Sequence, residues 1–376
     1  MSESLPPRVT LPPPAFPPPP PPRSALSAWL VAGLIVLVAG AVGLVVLFLA
    51  GWAALSSGEA LMAGSPQGAS HLRELVLENN HARDKVAVIE LNGVISGNAS
   101  SLRGSIVDSI RDQLDRAADD DHVKAVILRV DSPGGEVLAS DEIYVALRTF
   151  QTSNDIPVIA SMGSLAASGG YYVSAPCRWI VAHPLTLTGS IGVIFHGYNY
   201  RGLMDKLGIL PDVVKSGKLK DMLSGEQRPG DVLPEEKVIL NDLVKESFDR
   251  FKQVIREGRK WSADQNRTEG VKGGQELSAD WEDSADGRIL SGAQALKAGL
   301  VDELGDFDKA VDRALQLARL KSANIISYQA PPSLGDFLGL LGRAPASKVQ
   351  IELPGLLPEA GLAPGRMYFV SPLHLR

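Results

Sequence analysis

The sequence predicts an α/β protein with a mainly parallel sheet, preceded by one transmembrane helix. Three observations lead there. Strand-like runs alternate with helical stretches between residues 85 and 320, the pattern of crossover units on a parallel sheet. Residues 26–55 carry no charge and outrun the ~20 apolar residues that span a bilayer. The 376 residues are 45% hydrophobic with a net charge of -6, enough for an anchor plus one or two domains. No basic face is suggested, so nucleic acid is not an expected partner. The single cysteine, Cys177, can form neither an intrachain disulfide nor a cysteine-rich metal site.

Taken in order, residues 1–25 are proline-rich and read as a disordered arm with polyproline II character. Trp29 and Trp52 stand near the two ends of the 26–55 helix, where aromatic belts sit. Arg8 and Arg23 flank its N-terminal side, whereas the other flank offers Glu59 and no basic residue before Arg73. Positive-inside then places the N-terminus in the cytoplasm and the rest of the chain on the far side of the cell membrane. Residues 56–84 read as a connector with a helix over His71–Asn80. Strands follow at Lys85–Leu91, Val123–Val130, Pro157–Ala160, Trp179–Ala182 and Leu210–Val214. Helices are expected over 105–118, 137–151, from about Ala166, over Tyr200–Leu207, Ala293–Ala298 and Asp308–Leu320. The longest helix is expected at 234–260, with Pro234 in its first turn and Arg256, Arg259 and Lys260 in its last. Residues 262–285 read as a polar loop, and 321–376 as a Pro- and Gly-rich extension with short apolar runs, Met367–Val370 among them.

Three stretches carry chemistry. Ala160–Tyr172 is built almost wholly from small residues, which lets a helix start tight against a sheet and lets a serine stand beside bare amides. Asp131-Ser132-Pro133-Gly134-Gly135 follows a strand and precedes a helix, an anion site by geometry. No nucleotide-binding glycine motif is present. The third stretch, Thr188–Val193 with Lys215–Asp221, supplies Ser190 and three lysines. A serine nucleophile needs a base, and a desolvated lysine can serve. Each stretch also has a plain structural reading, as close packing, a tight turn and a solvated loop.

Together with Asp286-Gly287-Arg288 and Gly299–Gly305, these motifs occur in an order that resembles the signal peptide peptidase A family in its short, single-unit form. The resemblance covers about residues 85–320. It implies a Clp protease/crotonase-like fold of repeated β-β-α units and a membrane-anchored Ser–Lys peptidase without cofactor or metal. It implies Ser168 as nucleophile, Lys220 (and not Lys215 or Lys218) as general base, and Ser190 as the serine that holds the lysine. Gly135, with Gly134 as second choice, and Gly169 would form the oxyanion hole. The implied substrates are remnant signal peptides and other apolar peptides. The implied assembly is a homo-oligomeric ring or dome on the membrane, with serine and lysine from neighbouring subunits.

Other readings stand beside it. A Clp-like Ser–His protease would use His183, 15 residues after Ser168. A crotonase-type acyl-CoA enzyme shares the implied fold but not the anchor or the serine–lysine pair. An inactive membrane-anchored ring could act as a scaffold, but would have no need of Ser168, Ser190 and Lys220 together.

Overall fold

A computed structural model describes residues 72–98, 105–330 and 367–370. The expected arm and transmembrane helix, and parts of the connector and extension, lie outside the described residues. Among the described residues no helix is long and apolar enough to cross a membrane.

The fold is mixed α/β with a mostly parallel sheet. Its strands are β1 (Arg73–Glu78), β2 (Lys85–Asn92), β3 (Val123–Ser132), β5 (Val158–Ala167), β6 (Trp179–Ala182), β7 (Leu187–Gly189), β9 (Ile289–Ser291), β10 (Glu303–Leu304) and β11 (Asn324–Gln329). The spatial order is β1-β11-β2-β3-β5-β6-β10, with β7 beside the end of β5 and β9 beside β7. β1 and β9 run antiparallel to their neighbours, and the remaining pairs are parallel. A second sheet consists of β4 (Gly134–Glu136), β12 (Met367–Val370) and β8 (Ile194–Phe195), with β12 in the centre.

The α-helices among the described residues are α1 (Ile106–Ala118), α2 (Val137–Asn154), α3 (Gly169–Ser174), α4 (Arg201–Leu207), α5 (Pro234–Glu269), α6 (Gly292–Lys297) and α7 (Phe307–Leu317), with a 3-10 turn over Trp281–Ser284. The central strands alternate between two cores. Ala87, Ile89, Leu91, Val126, Leu128 and Val130 join the large core, and Val86, Val88, Ala125 and Ile127 join a smaller one covered by Ala310, Ala314 and Leu317 of α7. Both faces are therefore apolar, which gives these strands nearly continuous hydrophobic runs. Ser105 caps α1 by accepting the Asp108 N–H, and Ser291 does the same for the Gln294 N–H of α6, as short polar caps do.

Four expectations are corrected. Residues 73–78 form strand β1, because β11, some 250 residues further on, supplies an antiparallel partner that a local reading cannot see. The strand before Ser168 runs on to Ala167 because Leu165–Ala167 pair with β7, so helix α3 starts only at Gly169. Leu210–Val214 is not a strand. Its residues are largely solvent-exposed with no neighbouring strand, and β-propensity is realised on a half-buried pleated surface. Helix α5 runs past residue 260 to Glu269 and ends at Gly270 in the left-handed region, where glycine stops a helix without strain. Arg259 does not decorate a last turn. It is buried and ion-paired with buried Asp302.

Candidate active site

The Asp131–Gly135 turn is locked by its own serine. Ser132 Oγ donates to the Gly93 carbonyl at 2.6 Å and accepts the Gly134 N–H at 3.1 Å. Ile95 then zips onto β4: its N–H donates to the Gly134 carbonyl at 2.9 Å, and its carbonyl accepts the Glu136 N–H at 2.8 Å. Backbone groups alternate along a strand, so the N–H and C=O of Gly135 face the other edge. The two glycines therefore sit on a short strand ahead of α2, not at a helix start. Gly134 has φ of 97°, and a methyl group on Gly135 would collide with the Ile95 carbonyl. A methyl on Gly134 would lie 2.6 Å from the Gly169 nitrogen, and one on Gly169 would lie 3.1 Å from the Gly135 nitrogen. Both amides thus border one small space that any side chain would fill.

Ser168 stands at that space, between β5 and α3. Its φ of 55° and ψ of -116° are values that non-glycine residues adopt only under strain. Its N–H donates to the Gly189 carbonyl at 2.8 Å and its carbonyl accepts the Tyr172 N–H at 2.8 Å. The residue is 1% exposed, and its Oγ has no hydrogen-bond partner. A buried hydroxyl without a partner calls for an explanation.

The bond to Gly189 brings Ser190 alongside. Ser190 is buried, with φ of 49°, and its N–H donates to the Arg288 carbonyl at 2.7 Å. This explains the Asp286-Gly287-Arg288 motif: Arg288 closes on Asp286 at 2.6 Å and holds that carboxyl down at about 2, which fixes the turn against Ser190.

The lysines are not brought to Ser168 within the chain. Lys215 pairs with Asp221 at 2.7 Å and Lys218 with Glu235 at 2.6 Å. Lys220 is exposed, and the unpartnered Ser168 Oγ shows that its amine does not reach the serine. His183 is exposed at the end of β6 and accepts the Leu185 N–H on Nδ1 at 3.2 Å. It does not meet Ser168 either.

Sequence reasoning missed a closed aromatic cluster around Tyr172, four residues after the serine. The Tyr172 ring lies 4.9 Å from Phe251 of α5 and 5.9 Å from Tyr144 of α2. The Tyr172 hydroxyl donates to Asp141 at 2.5 Å, and Arg250 closes on the same carboxylate at 2.9 Å. Burial, reinforced by Asp141, pushes the Tyr172 phenol well above its ordinary value, so it stays a neutral donor. The only signal for Phe251 was its place on the apolar face of α5. The companion Tyr171 donates to the Leu300 carbonyl at 2.8 Å, which gives the Gly299–Gly305 motif a structural role. Among the described residues no group of three or more His, Cys, Asp or Glu side chains could hold a metal ion.

An α/β chain that strains a buried serine against glycine amides falls in the class of serine peptidases, and known proteins agree. Residues 151–321 match the model of peptidase family S49. The chain is 36% identical to a signal peptide peptidase SppA of Enterococcus faecium, over 70% of this chain and 72% of that protein. It is 39% identical to the protease slr0021 of Synechocystis, over 63% of this chain and 76% of that protein. It is 31% identical to the chloroplastic serine protease SPPA of Arabidopsis thaliana, over 79% of this chain and 42% of that protein. The chain belongs to peptidase family S49, the signal peptide peptidase A family.

Proposed function

We propose that the chain is a membrane-anchored Ser–Lys endopeptidase that degrades remnant signal peptides and similar apolar peptides. The observation that carries this reading is the Ser168 hydroxyl, buried, unpartnered and held at a strained φ beside the Gly135 and Gly169 amides. Such strain is kept where the surrounding structure over-determines it, commonly at active sites.

In this mechanism the base takes the Ser168 proton and Oγ attacks a peptide carbonyl. The Gly135 and Gly169 amides hold the oxyanion. The leaving amine takes the proton from the base, and water activated by the same base then hydrolyses the ester. Lys220 is the base, oriented by Ser190. A lysine acts so only when desolvated, and exposed Lys220 gains that environment against Ser168 of a neighbouring copy in a homo-oligomeric ring. Residues 26–55 anchor the protein in the cell membrane, with the catalytic domain outside the cytoplasm, where signal-peptide remnants are left. The exposed, turn-bound His183 speaks against Clp-like Ser–His chemistry.

The test is peptidase activity of the full chain on a signal-peptide-like substrate, with labelling by an active-serine probe. Ser168→Ala and Lys220→Ala should both lose at least ~100-fold in rate, and His183→Ala should stay near the parent. A dead His183→Ala beside an active Lys220→Ala would replace the dyad with Ser–His chemistry. A parent that assembles but neither cleaves nor labels would be a scaffold.

A further inference from the structure

Lys220 stands on a segment with no regular structure to hold it. Residues 208–233, between α4 and α5, contain neither helix nor strand. The chain crosses the lysine in short backbone turns. The Lys220 N–H donates to the Gly217 carbonyl at 3.1 Å, the Met222 N–H to the Leu219 carbonyl at 3.1 Å and the Ser224 N–H to the Asp221 carbonyl at 3.0 Å. A single turn fixes several dihedral angles for one hydrogen bond and is weak by itself. A base needs a fixed place, because a misplacement of about 1 Å can cost ~100-fold in rate.

What closes the segment is Lys215. Its Nζ donates to Asp221 Oδ1 at 2.7 Å and to the Lys218 carbonyl at 3.2 Å. The two bonds draw residues 216–220 into a ring, with Lys220 next to the point of closure. The hydrogen bond from Lys215 holds the Asp221 carboxyl below its ordinary value, so the carboxylate stays ionised and the ring stays shut. The ring is tied to both flanking helices. On one side Gln227 Nε2 donates to the Asp221 carbonyl at 3.1 Å. Asn199 Nδ2, just before α4, donates in turn to the Gln227 carbonyl at 2.9 Å. On the other side Lys218 pairs with Glu235 in the first turn of α5.

We propose that Lys215 and Asp221 are positioning residues for Lys220: their ion pair closes the ring that fixes where the base is presented. The inference rests on the reading of Lys220 as the base and adds the device that holds it. The three lysines of this run then have separate tasks. Lys215 braces the ring, Lys218 ties it to α5, and Lys220 moves the proton. The pair has little else to do, because its side chains are 38% and 18% exposed and ion pairs open to water contribute little to stability.

The test is steady-state kinetics of the full chain on a signal-peptide-like substrate, with a melting curve for each variant. Lys215→Met keeps the length of the side chain without its charge, and Asp221→Leu removes the acceptor. Each should lower kcat ~10–100-fold with KM within ~2-fold of the parent, because substrate still binds but meets a misplaced base. The double variant should be no slower than either single variant, since both remove the same interaction. Lys215→Arg keeps the charge and can donate to both partners, so it should return kcat to within ~3-fold of the parent. Melting points should hold throughout. Additive losses, a loss that Lys215→Arg does not repair, or a drop in melting point large enough to explain the lost rate would each overturn the proposal. Lys220→Ala, run alongside, keeps the two readings apart. If it is inactive while Lys215→Met and Asp221→Leu turn over at the parent rate, the brace falls and the base stands. If it stays active, the base reading falls and takes the brace with it.

Discussion

Ser168 sits at φ 55° and ψ -116°, a conformation that costs a non-glycine residue roughly 1–3 kcal/mol. Glycine would relieve that strain and give back about 0.5–1 kcal/mol through its freer unfolded chain. Ser168→Gly should therefore raise stability by about 1 kcal/mol, a melting shift of ~2–4 °C for a domain of this size, while activity is lost. Ser168→Ala should lose activity without that rise, since alanine shares the strain. Differential scanning calorimetry of the two variants separates them, and equal melting points would show that the backbone is not strained. Gly135 makes the opposite case. A methyl there meets the Ile95 carbonyl, a rigid backbone group, so Gly135→Ala should cost about 1–3 kcal/mol as overpacking does and displace one of the amides beside Ser168. Urea denaturation alongside peptidase assays should show both losses together.

At the scale of elements, helix α5 is the wall of the site and its anchorage is buried. Asp302 accepts the Ile180 N–H at 2.8 Å and the Gln275 N–H at 3.0 Å, and pairs with Arg259, both side chains being fully enclosed. Asp302→Ala would leave the guanidinium buried and unpaired, which costs about 3–5 kcal/mol. Urea denaturation should show that loss, and a change under 1 kcal/mol would mean that α5 is held by packing alone. The middle of the helix carries Phe251, which is fully buried against the Tyr172 ring. Phe251→Ala should therefore cost about 3–5 kcal/mol in urea denaturation, as loss of a buried aromatic side chain does. The central strands and α1, α2, α6 and α7 were legible in the sequence because their periodicity and caps are local. Strings of small residues singled out the stretches around Ser168, Gly135 and Ser190, whereas the choice of those residues and of Gly169 within them came from the family resemblance. The partner of β1, the inward turn of Arg259 and the packing of Phe251 on Tyr172 were not legible, because each is fixed by a residue far away in the chain. Leu210–Val214 carried the composition of a strand but found no neighbour to pair with.

The whole molecule poses the problem of Lys220. It lies on a segment rich in exposed apolar residues, with Val214 97% and Leu210 76% exposed, and exposed apolar patches of that kind mark surfaces that meet other molecules. Ser168 is enclosed in the same chain, with no base at its hydroxyl. If the lysine of one copy serves the serine of the next, the contact is heterologous and each site needs two chains. Ser168→Ala and Lys220→Ala proteins, each inactive alone, should then complement one another. When they are dissociated, mixed in equal amounts and reassembled at random, roughly one site in four receives an intact serine from one copy and an intact lysine from its neighbour. The expected activity is about a quarter of the parent's, rising from zero as reassembly proceeds and falling away again on dilution. Sites completed within a single chain give no such rescue, because no copy in the mixture holds both groups. A mixture that assembles and stays inactive would therefore return Lys220 to its own chain and require the exposed segment to fold inward onto Ser168.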